Sequence, residues 1–564
     1  MHALLAALLL TLSTIPRADE PAKAEYTVIV QDPASELVTV RLHLSGLAGP
    51  FELALADGWG FANPAETSLV RGPDLPEGIG YTLSSIEELG PRRWKVNRPP
   101  STNEVDLSWT VKLDHRRQPE VQGRDEYEHP YLAEDHGMLV AGAIFLTPSD
   151  DDLELETRVR FELPEGWAVH APWPEIEPGV FAPSEQALTN DLIAIGHWDV
   201  IEKRLDGLDL TIAFAPGQDA LRDIVSKRVP PILEAEVKLF AGAPQPKYLF
   251  VFGRCDQPSS YGGSPKTASM TLYVAPDLPL DFVTDGVTHL IAHEYHHTFM
   301  MANCQPKDEL RFVMEGFTDW AAHTVPWRLG FTSDADMKQS LEKQIAKGAR
   351  SLKHFGGTLL DAGGPKFFEG GHAYSACYAA GLMLAAWLDV ALRDRDREDG
   401  VDGFIRRLWK NPEWSEEQRP ALDDFLNLVE KLLDEEARNR LRAYLETPGG
   451  GDPAALFKTL DVELNSGQVP LDPSPRANFQ GTTVMVLDPE GAGAVIGLEH
   501  GDQILEVNGV EVSGAGEIQS AWRNPIDGRL KVRLIRGGDE QQIDVPIPTR
   551  LAYSLPDGFL DRIR

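Results

Sequence analysis

The sequence predicts a multidomain α+β protein with an N-terminal antiparallel β-domain, a mainly helical middle and a small C-terminal β-domain. At 564 residues the chain exceeds what one hydrophobic core usually spans. Apolar residues alternate with period two up to about residue 216, and from about Asp219 they follow helical spacing. A proline-rich linker, 466–476, then precedes the last module.

The composition restricts the classes of partner. The chain has 87 acidic and 53 basic residues, for a formal net charge of -34. Nucleic acids and anionic membrane surfaces reward clusters of Lys and Arg, so we expect neither as a partner.

The N-terminus, residues 1–24, is predicted to be a signal peptide. LLAALLLTLSTI is a short apolar run, and Ala22-Lys23-Ala24 fits the small-residue pattern of a cleavage site. We therefore expect the protein to be periplasmic or extracellular, with no membrane span in the mature chain. Its three cysteines, Cys255, Cys304 and Cys377, are too few for a disulfide framework.

Residues 25–216 are assigned to the β-domain. In VDLSWTVKL the apolar residues from Val105 to Leu113 occupy alternate positions and predict a strand with one buried face. Asp206-Gly207, between VIEKRL and LDLTIAF, predicts a hairpin turn.

Residues 217–465 are assigned to a second domain, with a small sheet followed by helices. KYLFVFGR and ASMTLYV predict strands, and helices are expected at about 334–349, 372–393 and 420–444. The apolar run Gly381 to Leu388 is interrupted by Asp389 and predicts a buried helix.

The stretch 288–319, THLIAHEYHHTFMMANCQPKDELRFVMEGFTD, carries the predicted chemistry. It contains His293, Glu294 and His297 as HExxH. On a helix the two histidines lie one turn apart on one face, so both imidazoles can reach one zinc ion. Glu294 lies beside them as the expected general base and acid.

Glu315 is the expected third ligand, because catalytic zinc usually takes three protein ligands and leaves a fourth position for water. It lies 18 positions after His297, far enough to start a second helix. Asp319, one turn later, is expected to accept the spare ring N–H of a ligand histidine. The alternative is an ordinary buried helix with hydrogen-bonded histidines, which is the interpretation favoured for His289 and His296.

The C-terminal module, residues 477–550, contains GAGAVIGLEHGDQILEVNGVEV and a final hairpin from LKVRLIRGGDEQQIDVPI. Residues 551–564 are assigned to a C-terminal tail.

These motifs resemble those of the glycyl aminopeptidase-like zinc metallopeptidases, gluzincins with an N-terminal β-domain, a thermolysin-like, mainly α catalytic domain and a C-terminal PDZ-like β-barrel domain. HEYHHTF is similar to the family's zinc helix, FVMEGFTDW to its third-ligand helix and AGAVIGLEHGDQILEVNG to its PDZ domain. The resemblance implies one zinc per chain, held by His293, His297 and Glu315. It implies Glu294 as the general base and Tyr378 as the hydrogen-bond donor to the oxyanion.

Two departures from the family bear on the substrate. In the Tyr-x-Lys-Gly motif, Tyr378 and Gly381 match, but Ala380 replaces the lysine, and Tyr374 is the alternative tyrosine. The family's Gly-Gly-Leu-Glu-His motif is Gly-Gly-Ser-Pro-Lys at 262–266, so Pro265 replaces the glutamate expected to bind a peptide's amino terminus. A proline cannot neutralise a desolvated ammonium group.

The sequence therefore predicts an exported zinc metallopeptidase of the aminopeptidase-like family, acting on peptides or proteins. One alternative is an endopeptidase or oligopeptidase on the same scaffold, because of Pro265. Another is a non-catalytic, PDZ-bearing adaptor with a relic metal site. A peptide C-terminus is a further expected partner of the PDZ-like domain.

Overall fold

The chain divides into two compact units, Met1–Asn303 and Cys304–Arg564. The computed structural model describes residues 22–47, 49–55, 69–74, 85–90, 92–97, 104–113, 130–148, 155–254, 261–275, 278–300, 306–411, 414–415, 418–471, 474–487 and 491–564. Most of the predicted signal peptide, residues 1–21, lies outside these ranges, as do Cys255 and Cys304. Cys377 is a buried free thiol.

The first unit is built mainly of strands. Its described strands are β1 (Ala22–Ile29), β2 (Leu37–Ser45), β3 (Phe51–Leu55), β4 (Leu69–Asp74), β5 (Ser85–Gly90), β6 (Arg93–Asn97), β7 (Glu104–Lys112), β8 (Tyr131–Leu132), β9 (His136–Val140), β10 (Leu146–Pro148), β11 (Leu155–Glu162), β12 (Ala168–His170), β13 (Glu175–Glu177), β14 (Val180–Phe181), β15 (Leu192–Gly196), β16 (Asp199–Leu205), β17 (Leu208–Phe214), β18 (Lys247–Arg254), β19 (Tyr261–Pro265) and β20 (Ser269–Val274). Its helices are α1 (Ala141–Ile144), α2 (Glu185–Asn190), α3 (Asp219–Leu239) and α4 (Leu280–Met300).

The N-terminal strands form a seven-stranded sheet in the order β13-β14-β11-β1-β2-β7-β4 and two four-stranded sheets, β10-β3-β6-β5 and β12-β15-β9-β8. The predicted alternation in VDLSWTVKL is confirmed, because every second residue of β7 is buried. Trp109 of this strand donates its indole N–H to the carbonyl of Ile144, 2.8 Å away. The prediction of an antiparallel domain is wrong in one place, because β1 pairs with β11 in parallel.

The fourth sheet has the order β16-β17-β18-β20-β19 and leads to the HExxH helix. The predicted hairpin at Asp206-Gly207 is confirmed, since Leu205 pairs with Leu208 and Gly207 has a positive φ of 74°. β17 pairs with β18 in parallel, and α3 connects them, as a parallel crossover requires. The sheet therefore includes strands from both sides of the boundary predicted at residues 216 and 217.

The second unit is mainly helical up to residue 458. Its described helices are α5 (Arg311–Arg328), α6 (Asp334–Phe355), α7 (Leu359–Ala362), α8 (Gly371–Arg393), α9 (Gly400–Trp409), α10 (Leu422–Leu432), α11 (Glu435–Leu445), α12 (Pro453–Lys458), α13 (Ala492–Val495) and α14 (Ala515–Trp522). The helix predicted at 420–444 is in fact two helices. Asp434 interrupts it, because its carboxylate accepts the N–H of Ala437 and caps the start of α11.

Helix α8 is the centre of this helical part. It is long and apolar enough to cross a membrane, but 89% of its most apolar window is buried inside the protein. The buried helix predicted at Gly381 to Leu388 is therefore confirmed. Both α5 and α6 pack along it.

The C-terminal module is inserted between two strands of a separate ribbon. β21 (Asn465–Pro470) pairs antiparallel with β28 (Thr549–Ser554), so the predicted linker and tail both contribute strands. Between them lie β22 (Ala477–Gln480), β23 (Thr483–Leu487), β24 (Gln503–Val507), β25 (Val510–Glu511), β26 (Arg529–Arg536) and β27 (Asp539–Pro546). Their sheet follows the open order β22-β23-β24-β26-β27, with β25 beside β24, rather than the predicted closed barrel.

Candidate metal centre and active site

Helix α4 presents the HExxH motif from the first unit. Val283, Val287, Ile291 and Tyr295 recur every four residues and are buried, which fixes one face of the helix against the protein. The same helix packs against α3 and against the edge strand β19. The motif therefore lies on a helix that packs through its apolar face and carries polar side chains at its other positions.

His293 and His297 lie together on α4, as their spacing predicts. Their Nε2 atoms are 3.1 Å apart, and their ring centroids are 4.7 Å apart with the ring planes at 84°. Both side chains are buried, each residue being 5% exposed. Two nitrogens bound tetrahedrally to one zinc at its usual bond length lie about 3.3 Å apart. The histidine pair therefore fits a zinc ion.

Glu294 is half-buried, unlike the two histidines that flank it in the motif. Partial exposure leaves its carboxylate accessible to water, which a general base requires. Its charge also acts on the buried Tyr248, whose pKa is raised first by burial and then by nearby charges that include Glu294.

His296 has a role that the sequence did not indicate. Its Nδ1 lies 2.8 Å from Oε2 of Glu236 on α3, and both side chains are almost completely buried. This contact joins α4 to α3 beside the metal ligands. Glu236 lies 60 residues from His296, and no local pattern connects the two residues.

His289 matches the expectation of a packed histidine in part. It is half-buried, and its ring stacks near that of His293, with centroids 6.2 Å apart and planes at 22°. It extends the row of imidazoles along α4 by one turn.

Glu315 and Asp319 lie one turn apart on α5, in the second unit, and both are buried. A buried carboxylate is costly unless it is paired or coordinated, so their burial is consistent with functional roles. Glu315 also lies near Cys377 of α8, because burial and then the charge of Glu315 raise the pKa of that thiol.

Tyr378 and Tyr374 lie one turn apart on α8, each half-buried. Their ring centroids are 4.5 Å apart. Ala380, which replaces the family's lysine, is fully buried where α6 crosses α8. A Cβ atom at Gly348 of α6 would lie 2.7 Å from the Ala380 nitrogen, so this crossing leaves little room for a lysine side chain at residue 380.

The Gly-Gly-Ser-Pro-Lys segment forms the edge strand β19 and its end. The backbone N–H of Lys266 donates to the Ser269 carbonyl, at 2.7 Å. Backbone groups of successive residues point to opposite sides of a strand, so those of Pro265 point away from β20. Proline fits an edge position because no ladder partner needs its missing N–H. The position expected for a glutamate thus offers an outward carbonyl and no carboxylate.

The buried Asp191 stabilises the end of this edge strand through hydrogen bonds. The sequence did not indicate this role. Its carboxylate accepts hydrogen bonds from the Ala268 N–H at 2.7 Å, the Ser269 hydroxyl at 3.0 Å and the Trp173 indole at 3.1 Å. It therefore fixes the turn between β19 and β20. These partners are 18 to 78 residues distant in sequence.

A cavity of about 460 Å³ in the first unit is separate from the predicted site residues. His170, His197 and Trp198 line it together with the start of α3. None of the expected metal ligands or catalytic residues contributes to its wall.

No family model matches the sequence, and no curated protein matches it significantly. Among solved structures, an aminopeptidase N family protein from Idiomarina loihiensis is similar over 96% of this chain and 100% of its own, with a TM-score of 0.72 at 17% identity. An M1 zinc metallopeptidase from Deinococcus radiodurans has a TM-score of 0.45 at 13% identity, covering 76% of this chain and 96% of its own. The first similarity shows that the chain has the fold of an aminopeptidase N family protein.

Proposed function

We propose that the protein is a zinc metallopeptidase that hydrolyses peptide bonds. The observation that carries this proposal is the buried pair His293 and His297, whose Nε2 atoms are 3.1 Å apart beside Glu294. The fold shared with an aminopeptidase N family protein supports it.

His293, His297 and Glu315 would hold one zinc ion per chain. Asp319 would orient a ligand histidine by accepting its ring N–H. When bound there, zinc supplies Lewis-acid chemistry, which polarises the scissile carbonyl and makes water a nucleophile at neutral pH.

The chain's own residues supply proton transfer and stabilisation of charge. Glu294 takes the proton from the attacking water and delivers it to the leaving nitrogen. Tyr378 donates its hydroxyl hydrogen to the oxyanion, a contribution of about 10²-fold or more for one well-placed donor. The edge strand β19, packed against α4, offers outward backbone groups that can align an extended peptide.

The test of this proposal is Glu294→Gln. The substitution keeps the size of the side chain and removes its basicity, so we expect turnover of a peptide substrate to fall by about 10²-fold or more. Zinc content should be unchanged. The matched control is Glu369→Gln at an exposed position of the second unit. Undiminished turnover in Glu294→Gln would show that another group is the base.

An endopeptidase or oligopeptidase is a second candidate, and Pro265 is the observation that favours it. A strict aminopeptidase must neutralise the substrate's ammonium group, and strand β19 provides no carboxylate at that position. Cleavage of one peptide in free and N-acetylated form separates the candidates. Equal cleavage of both forms supports endopeptidase action, whereas loss of cleavage on acetylation supports aminopeptidase action and contradicts this candidate.

We further propose that residues 1–24 direct export and that 477–550 form a PDZ-like module. Antiparallel strands with two short helices support the second proposal. Expression with and without residues 1–24, followed by fractionation, tests export. Titration with a C-terminal peptide and its amidated form tests capture of a peptide carboxylate.

A further inference from the structure

A stack of three aromatic rings, which includes the proposed oxyanion donor Tyr378, lies in the second unit. Phe367 belongs to the 3-10 turn Pro365–Phe367, just before α8. Its ring centroid is 5.0 Å from that of Tyr374 and 6.3 Å from that of Tyr378, and its plane lies within 10° of the Tyr378 plane. The centroids of the two tyrosine rings are 4.5 Å apart, with their planes tilted by 33°.

The three rings differ in burial, and the difference suggests separate roles. Phe367 is buried, whereas Tyr374 and Tyr378 are half-buried. The tyrosines are therefore partly accessible to solvent, whereas Phe367 is enclosed. A half-buried tyrosine retains rotational freedom about its side-chain torsions unless neighbouring rings restrict it.

Arg311 holds Phe367 in place from helix α5. Its guanidinium carbon lies 4.8 Å from the Phe367 centroid and 4.7 Å from the Phe368 centroid, within the range of cation–π attraction. Its Nε donates to the Gly363 carbonyl at 2.8 Å, and its Nη2 donates to Asp308 at 2.7 Å. The planar guanidinium thus has a fixed orientation against the turn.

This contact connects two helices that carry proposed functional residues. Arg311 lies one helical turn before Glu315 on α5, and Phe367 stacks on Tyr378 of α8. The approach is close, because a Cβ atom at Gly363 would lie 2.1 Å from the Asp308 carbonyl oxygen. The segment just before the Phe367 turn therefore packs directly on the residues that precede the Glu315 helix.

We propose that Phe367, held by Arg311, is a positioning residue that sets the orientation of the Tyr378 ring and thereby of its hydroxyl. This inference rests on the proposed peptidase function, in which Tyr378 donates to the oxyanion. Such a donor must be held in place before the reaction, because a loosely held donor stabilises the transition state less. Removing the supporting ring should reduce turnover more than substrate binding.

Phe368 provides a matched control. It is the next residue, it contacts the same Arg311 guanidinium, and its ring lies 5.4 Å from that of Phe367. However, it is 55% exposed, and its ring packs edge-on against that of Phe367. Phe367→Leu and Phe368→Leu therefore make the same chemical change at adjacent positions with different relations to the stack.

The kinetic test compares these two variants with the unmodified protein. We expect Phe367→Leu to lower kcat by about tenfold, with KM and zinc content unchanged. The decrease is smaller than the roughly 10²-fold or more expected for loss of the donor itself, because Tyr378 is still present. Phe368→Leu should retain kcat within about twofold. If Phe367→Leu does not fold, Phe367→Met, which better preserves the side-chain volume, replaces it.

A second measurement does not depend on activity. 3-Fluorotyrosine at position 378 reports the ring environment through its fluorine chemical shift. We expect this shift to move towards that of free fluorotyrosine in Phe367→Leu and to stay unchanged in Phe368→Leu. An unchanged shift in Phe367→Leu would overturn the inference.

The two measurements separate failure of the inference from failure of the proposed function. A moved fluorine shift with an unchanged kcat overturns the positioning role and leaves the peptidase function intact. A protein that cleaves no peptide overturns the proposed function, and with it the contribution of Phe367 to turnover.

Discussion

Asp191 shows how one buried charge can make the first unit sensitive to pH. The carboxylate is fully buried, and this burial raises its pKa from 3.8 to about 6 despite the hydrogen bonds it accepts. Between these values the folded protein holds a proton that the unfolded chain has already released. By linkage, stability is therefore lost as pH rises through this window, and the loss is complete above about pH 6.

The corresponding prediction concerns Asp191→Asn. Asparagine has no carboxyl proton to lose, so this contribution to the pH dependence should disappear. Between pH 4 and pH 6 the change in the free energy of unfolding should differ from that of the unmodified protein by roughly 2 kcal/mol, from the size of the pKa shift. Urea unfolding at pH 4, 5, 6 and 7 measures it.

The exposed turn residue Asp206 provides the control for this comparison. Asp206→Asn should give a pH profile parallel to that of the unmodified protein. If the profile of Asp191→Asn is also parallel, Asp191 does not titrate as described.

At the scale of single residues, the sequence predicts contacts between residues that are close together in the chain. His293 and His297 are four residues apart, so helical geometry alone brings them together. Glu236 and Asp191 could not be predicted in this way, because their partners are distant in sequence and meet them only when α3 packs on α4 and β20 completes its sheet. The sequence shows a proline at position 265, but the outward direction of the Pro265 carbonyl depends on the strand register.

Among the helices, the crossing of α5 and α8 controls the relative positions of Glu315 and Tyr378. Gly316 and Gly381 lie at this crossing. A Cβ atom at Gly316 would lie 2.3 Å from the Cα of Gly381, and one at Gly381 would lie 2.2 Å from the Phe312 carbonyl oxygen. The obstructing atoms are backbone, so a side chain at either position can be accommodated only if the helices separate.

Gly316→Ala tests this crossing. Alanine normally favours a helix, but here the inserted methyl group should destabilise the protein by about 1–3 kcal/mol or more through overpacking. The same substitution at Gly516 in α14, where nothing lies within 4 Å, should instead stabilise its helix by about 0.5–1 kcal/mol.

Thermal unfolding midpoints of the two glycine variants provide the measurement. The midpoint is expected to fall in Gly316→Ala and to rise in Gly516→Ala. A midpoint for Gly316→Ala at or above that of the unmodified protein would contradict the close approach of α5 and α8.

Helical periodicity predicted where most of these elements lie but not how closely they approach. α8 begins within one residue of its predicted start and ends at its predicted end, whereas α6 begins as predicted and continues six residues beyond its predicted end. The interruption at Asp434 was missed because the apolar spacing continues across it, and only the capping hydrogen bond marks the new helix. The match of Gly381 to a family motif acquires a physical reason from its contact with Gly316.

In the whole molecule, the two-stranded ribbon of β21 and β28 connects the C-terminal module to the helical part at both ends of the module. Both ends of the module lead back to this ribbon, and Pro470 pairs with Thr549 where the module begins and ends. Beyond it, the Leu555 N–H donates to Glu342 of α6 at 2.9 Å, and Ile563 is fully buried. The module is thus an insertion into the second unit.

This topology predicts that the module can be removed. Replacing residues 471–548 by Asn-Gly joins the paired ends of β21 and β28 through a two-residue hairpin loop. We expect the shortened chain to stay folded and to retain zinc and peptide cleavage, because the elements carrying these functions are unchanged. Circular dichroism, zinc content and peptide cleavage check the three outcomes.

Truncation after residue 548 provides the contrasting variant. It removes β28 together with the buried residues that follow it, so it should destabilise the helical part strongly. If this truncation is tolerated while the internal replacement unfolds the chain, the ribbon is not the structural link described.

The order of β-rich, helical and β-rich segments could be predicted from periodicity and the proline-rich stretch. The insertion could not, because β21 and β28 are separated by the whole module and their pairing leaves no local signal. β21 is also exposed along its length, so it lacks the alternating pattern that identifies a half-buried strand.

Zinc content is the most direct test of the central claim that His293, His297 and Glu315 form a zinc site. Elemental analysis after dialysis should find one zinc per chain in the unmodified protein and in Glu369→Gln. In Glu315→Gln the loss of a charged ligand should leave most chains without zinc. Full zinc content in Glu315→Gln would contradict its role as a ligand, and absence of zinc from the unmodified protein would contradict the proposed metallopeptidase.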